Sequence, residues 1–189
     1  MMQITEDVFK IEAFGNVYLI LKPTPFVIDS SAPNYKEEIK KEISKIIPLS
    51  KIKGVLLTHL HYDHAGNIDL FKNALIYASQ REINDFLKNP SDFFFGHDYK
   101  KTLRLIKDAK PLPKEIFGLK VINVMGHTRG SVAFLDEQRH LLFSGDTLFY
   151  DGFGRIDLPT SVPEKMHDSV MLLKDLIKEK HLDLMPGHG

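Results

Sequence analysis

The chain contains no cysteine. Disulfides, thiolate nucleophiles, Cys-type zinc sites and iron–sulfur clusters are therefore excluded, and any metal has to sit on nitrogen and oxygen. Charge of one sign is missing as well, because 25 Lys plus Arg balance 25 Asp plus Glu. The clearly basic surface expected of a nucleic-acid binder is absent, so no nucleic acid is expected as a partner. The first ten residues, MMQITEDVFK, lack the basic start and apolar run of a secretory signal. No stretch approaches the roughly 18 uninterrupted apolar residues of a membrane span. The expectation is a cytoplasmic protein with no membrane partner, a small-molecule substrate and an oligomeric state left open.

The 189 residues suit one domain with a core of its own. Asp7–Ala13, Asn16–Leu21 and Pro25–Asp29 are rich in β-branched and aromatic residues and are separated by Gly15 and Pro23, which predicts an antiparallel meander. Pro33 then opens a predicted helix over Asn34–Ile47, where Ile39, Ile43, Ile46 and Ile47 form one apolar stripe. Lys53–Thr58 reads as a strand buried on both faces that leads into HLHYDHAGN. A short helix at Gly66–Phe71, a strand at Ala74–Ala78 and a helix at Ser79–Leu87 are expected next.

Residues 89–113 are hard to read; Pro90 to Gly96 resembles a loop, and Asp98–Lys107 has a helical pattern. Leu119–Met125, Ser131–Leu135 and His140–Ser144 read as strands. Thr160–Lys180 reads as a long helix with Ser161 and Glu164 as a capping box, and Leu182–Met185 as a last strand. The order suggests two α/β halves sharing one core.

The chemistry lies in His59-x-His61-x-Asp63-His64. Two His at i and i+2 in extended backbone point the same way and can reach one metal, while Asp63 and His64, past the bend, can reach a second. A merely solvated loop would gain nothing from crowding groups that repel when protonated. His127, Asp146 and His188 sit on Gly- or Ser-flanked turns at predicted strand ends, which permit close backbone approach and an exposed ligand. Each alone is weak: Asp146 alone would read as a cap or turn residue, and His188 as a frayed terminal residue.

The motifs THLHYDHAGN, GHTRGS, SGDTLF and PGHG, in this order over nearly the whole chain, resemble those of the metallo-β-lactamase superfamily. The resemblance implies an α/β four-layer αββα sandwich. It also implies two divalent metal ions, zinc in the first place with iron or manganese as substitutes. His59, His61 and His127 would hold one ion, Asp63, His64 and His188 the other, and Asp146 would bridge them. Two such ions share a hydroxide, lower its pKa and clamp a carbonyl under attack, and Asp63 is the residue expected to orient it.

Gly154-Arg155-Ile156-Asp157 resembles the glyoxalase II-like branch, which implies hydrolysis of a thioester such as an acyl-glutathione, or of another small ester. Arg155 and Asp157 are read as a structural ion pair, with substrate contact as the alternative. Glyoxalase II itself continues into a helical domain that supplies glutathione contacts, whereas this chain stops one residue after His188; one domain over 1–189 is the expectation. Arg129 stands where Pro is common in the family.

Phe149, Tyr150 and Phe153 are candidates for a pocket wall, and Phe93–Phe95 is read as core before lid. His97, His140, His167 and His181 fit no ligand pattern. Two other functions compete: a persulfide dioxygenase-type oxidoreductase with one iron on His59, His127 and Asp146, and a non-catalytic metal-binding or partner-binding module. Lactonase and β-lactamase activities share the motif without support from the Gly-Arg-x-Asp segment.

Overall fold

The structure is a computed structural model that describes residues 1–189. Its first sheet has seven strands in sequence order: β1 (Met2–Gln3), β2 (Val8–Ile11), β3 (Val17–Ile20), β4 (Phe26–Ile28), β5 (Gly54–Leu56), β6 (Leu75–Ala78) and β7 (Lys110–Pro111). The expected meander forms β2 to β4, the unforeseen β1 adds to its edge, all four are antiparallel, and β4 to β7 run parallel. The second sheet holds β8 (Glu115–Ile116), β9 (Leu119–Asn123), β10 (Val132–Asp136), β11 (Leu141–Gly145) and β12 (Asp183–Pro186), in the order β12-β11-β10-β9-β8.

Six α-helices cover the sheets: α1 (Lys36–Ser44), α2 (Tyr62–Ala65), α3 (Gln80–Lys88), α4 (Ser91–Phe94), α5 (Lys100–Ile106) and α6 (Pro163–Lys180). The period-2 alternation of the strands builds the layers. Phe9, Ile11, Val17, Leu19, Val27 and Val55 face outward onto Ile39 and Ile43 of α1, Ile83 and Phe86 of α3 and Ile106 of α5. Their neighbours Val8, Tyr18, Ile20, Phe26, Ile28 and Leu56 face inward onto Val132, Phe134, Leu141 and Phe143 of the second sheet. Ala133, Leu135 and Leu142 then meet Met166, Val170 and Leu173 of α6. Three apolar layers between four layers of structure make the αββα sandwich. Each fully buried Phe, Leu or Ile contributes about 1.5–3 kcal/mol of transfer free energy.

The structure corrects several local expectations. The helix expected from Asn34 begins as a 3₁₀ turn at Pro33–Tyr35 and becomes α-helical only at Lys36. The helix expected at Gly66–Phe71 is a single 3₁₀ turn at Ile68–Leu70, and the α-helical turn comes earlier, as α2 inside the HLHYDH segment. Ser161 and Glu164 do not form a capping box. The Ser161 hydroxyl donates instead to the carbonyl of His127 at 2.9 Å, and α6 starts at Pro163, whose fixed φ suits a first helical position. A side-chain N-cap is on α3, where Ser79 Oγ accepts from the Glu82 amide at 3.1 Å. In the segment that sequence left open, Phe93 and Phe94 are core, and Phe95 takes a left-handed conformation and turns outward.

Candidate metal centre

Buried apolar strands end where the polar site begins. β5 delivers Thr58 and His59, β11 delivers Asp146, and β12 delivers His188, all at the same end of the two sheets, while the turn between β9 and β10 brings His127 to them. α2 reverses the chain after His61, so that Asp63 and His64 point back towards the strand ends. All seven residues singled out in the sequence converge. Their ligand atoms fall into three groups, each within 4.8 Å: His59, His61 and His127; His59, His64 and Asp146; and Asp63, His64 and His188. Asp146 Oδ2 lies 3.5 Å from His127 Nε2 and 3.4 Å from His188 Nε2, so this carboxylate stands between the two sets.

The imidazoles are aimed by partners that sequence reasoning did not identify. His64 Nδ1 faces Asp29 Oδ2 at 2.8 Å, His127 Nδ1 faces the carbonyl of Arg155 at 2.7 Å, and His59 Nδ1 faces Thr58 Oγ1 at 3.1 Å. His61 is reversed: its Nε2 faces Thr160 Oγ1 at 2.9 Å, and Nδ1 is the inward atom. Asp29 also accepts from the Thr58 amide and hydroxyl, which ties β4 to the start of the His-rich loop. The missed signal was an Asp directly after the strand FVI, which matches the place of the other strand-end residues. Gly187 permits the tight approach, since a Cβ there would stand 2.2 Å from Asp146 Oδ1.

Electrostatics separate this cluster from ordinary buried polar groups. Burial, with neighbouring imidazoles adding to it, holds His59 and His61 well below the usual histidine range. Burial opposes charge on His64 and His188 too, but the carboxylates around them outweigh it: His64 is raised well above its usual value and His188 to about 9. Asp146 is held well below the carboxylate range, burial being outweighed by His64 and His188. His59 Nε2 is buried with no hydrogen-bond partner, Asp146 Oδ1 is buried facing the ring nitrogen His64 Nε2 at 3.2 Å, and His61 Nδ1 faces His127 Nε2 at 2.8 Å. Imidazole and carboxylate ligand atoms converging in a buried space, one of them with no partner at all, are what a divalent cation satisfies, and the nitrogen and oxygen donor set suits Zn, Fe or Mn.

A cavity of about 440 Å³ opens onto the cluster. Phe14, Tyr62, Phe95, Phe149, Phe153 and Leu158 form its apolar walls, and His97 and Arg155 stand among them. Phe149 and Phe153 thus line the pocket as expected of wall candidates. Tyr150 does not; it is 71% exposed, and its hydroxyl donates to the carbonyl of Leu184. His97, to which sequence gave no role, stacks on Tyr62 with ring centroids 4.2 Å apart. Arg155 and Asp157 form the ion pair read from sequence, with both contacts at 2.9 Å, but on the surface, where such a pair adds little.

A His/Asp metal-binding cluster at one end of an αββα sandwich defines a metallo-hydrolase. The chain belongs to the metallo-β-lactamase superfamily, whose family model matches residues 12–188. It is 29% identical to a probable metallo-hydrolase of Methanocaldococcus jannaschii, over 96% of this chain and 92% of that one. It is 33% identical to the hydroxyacylglutathione hydrolase of Methylobacillus flagellatus over 67% of this chain and 45% of the relative. Among solved structures it is similar to TTHA1623 in a di-iron-bound form, with 28% identity, a TM-score of 0.69 and coverage of 96% of this chain and 91% of that one. No helix is long and apolar enough to cross a membrane.

Proposed function

We propose that this protein is a binuclear metal-dependent thioesterase acting on small acyl thioesters or related esters. His59, His61 and His127 hold one cation, Asp63, His64 and His188 the other, and Asp146 is shared. The observation that carries the reading is the convergence of seven ligand side chains beside an open pocket, with the buried His59 Nε2 left without any partner. Similarity to a hydroxyacylglutathione hydrolase supports the thioester class. A divalent pair supplies a Lewis acid for the carbonyl and a water of lowered pKa. Zinc is the first candidate, and the relative solved with two irons keeps iron in view.

This chain's own residues do the rest. Asp63 lines the pocket with its Oδ2 3.4 Å from His188 Nε2, and its carboxylate is held below the usual range, burial being outweighed by His188 and His64. It stays ionised at neutral pH and accepts a proton from water near the cations, which orients that water for attack. The acyl group lies against Phe14, Phe95, Phe149 and Phe153, where burial of apolar surface favours it. Arg155, the sole Lys or Arg among the lining residues, is already bonded to Asp157. The pocket thus has little provision for an acyl group that carries its own carboxylate.

The test is a panel of acyl thioesters differing in acyl length and charge, run with metal-loaded and chelator-treated protein. Thioester cleavage that is lost with metal and in Asp63→Ala supports the reading; cleavage that persists after complete metal removal refutes it. Oxygen uptake with sulfite release from a persulfide, at one iron per chain, would replace it with the dioxygenase reading.

A further inference from the structure

Glu82 is the one carboxylate of the core that neither faces a cation nor belongs to the converging seven. It is 1% exposed, and no Lys, Arg or His lies within ion-pair distance of it. Burial pushes its carboxyl up to about 7. Burying such a group costs several kcal/mol unless its oxygens are hydrogen-bonded, so what those oxygens hold explains its presence.

Each oxygen holds a different loop of the site. Oε1 accepts from the Leu60 amide at 3.0 Å, and Leu60 is the residue between His59 and His61. Oε2 accepts from the Thr128 hydroxyl at 2.9 Å, next to His127. The bracing continues around the same helix end: Ser79 Oγ donates to the carbonyl of Gly130 at 2.6 Å, and Thr128 Oγ1 meets Ser131 Oγ at 2.7 Å. Gly130 is packed so closely that a Cβ there would stand 2.6 Å from both the Glu82 amide nitrogen and Oε2. Nearer their stems the two loops are joined by one backbone bond, from Val132 N to Thr58 O. Nearer their tips, where the three imidazoles stand, the Glu82 carboxylate spans the gap.

We infer that Glu82 is a positioning residue for the His59–His61–His127 cation site, fixing the distance between the two loops without touching cation or substrate. The other three ligands have a separate anchorage. Asp29 faces His64, and the Ser30 amide and hydroxyl both donate to the carbonyl of His64. Asn16 Nδ2 and the Tyr18 hydroxyl hold the carbonyl of Pro186, two residues before His188. Loss of Glu82 therefore acts on one cation site and spares the other. Partners that orient metal ligands in this indirect way typically change metal affinity about 10–100-fold when removed.

This inference rests on the metal reading above, and the test keeps the two apart. Cobalt(II) is titrated into metal-free wild type, Glu82→Ala, Glu82→Gln and Phe86→Leu, with affinity read by chelator competition and geometry by the visible absorption of the bound ion. Phe86 lies in the core on the same helix, packs on Phe93 and Phe94, and has no polar atom with which to brace either loop, so it reports plain destabilisation. The expected result is at least about tenfold weaker binding of one equivalent with an altered spectrum in Glu82→Ala. The other equivalent should be unmoved, Glu82→Gln should show a smaller loss because it keeps an acceptor for Leu60, and Phe86→Leu should bind normally at a lower Tm. Wild-type affinity and spectrum in the Glu82 variants would overturn the inference. If Glu82→Ala does not fold, Glu82→Gln decides on the same criteria, and normal binding there overturns it. A wild type that takes up no cobalt overturns the metal reading itself, and this inference with it.

Discussion

The two ends of β11 bury charge in opposite ways. At its start, Arg139 in the turn after β10 donates to Asp7 at 3.0 Å and to Asp136 at 2.7 Å, and both carboxylates are buried. Every buried charge there has a partner within the chain. At its end, Asp146 meets only imidazoles of the cluster, and His59 keeps a buried nitrogen with no partner. One end is a finished ionic brace. The other is an unfinished set of acceptors, and the difference separates charge that serves the fold from charge that serves a ligand.

Substitutions should break that contrast in a fixed order of size. Asp146→Ala should lower kcat/KM for whichever ester the wild type cleaves by about a thousandfold or more, since several kcal/mol of charge stabilisation depend on the cations. Elemental analysis should show metal content falling with it. Next, a cation at about 100 times its Kd should stabilise the wild type by about 2.7 kcal/mol in denaturant unfolding. The same addition should do far less for Asp146→Ala; equal stabilisation of both would mean that the ion binds elsewhere.

Arg139→Ala acts at the finished end and should cost about 2 kcal/mol, less than the 3–5 kcal/mol of a fully buried pair because the guanidinium is partly exposed. Metal content and kcat/KM should stay at wild-type values. A smaller effect is the acid response. The Arg139 hydrogen bond holds the Asp7 carboxyl below the usual range against the opposing effect of burial. Its stabilising contribution is present above about pH 4, the unfolded value, and is lost as pH falls through the folded one. Unfolding measured at pH 6 and pH 3 should show a shallower acid loss in Arg139→Ala than in wild type. Smallest of all, Asp157→Asn should leave Tm unchanged, because both members of the Arg155–Asp157 pair are about 70% exposed.

The legibility of the site follows the same division. Density made HLHYDH readable, because four donors in six positions have no cheaper explanation than a metal. Asp29 and Glu82 stayed hidden, because a lone acidic residue after a strand or inside an amphipathic helix resembles many solvated ones. Ser161 and Glu164 satisfied the spacing of a capping box, yet a tertiary acceptor, the His127 carbonyl, took the serine hydroxyl. Phe93, Phe94 and Phe95 are indistinguishable as residue types; the left-handed turn at Phe95 sends the third ring to the pocket and leaves the first two in the core.

By itself, the sequence determined that the strand before HLHYDH is buried on both faces, where that segment leaves its strand, and which donor types stand at the predicted strand ends, since periodicity and residue chemistry are local properties. Only the tertiary structure decided that those exits share one end of two facing sheets, that Asp146 lies between the two sets of ligands, and which oxygens hold the imidazoles in place. Those distances arise from packing between segments as far as 170 residues apart, as in Asn16 and Pro186, and no local pattern encodes them.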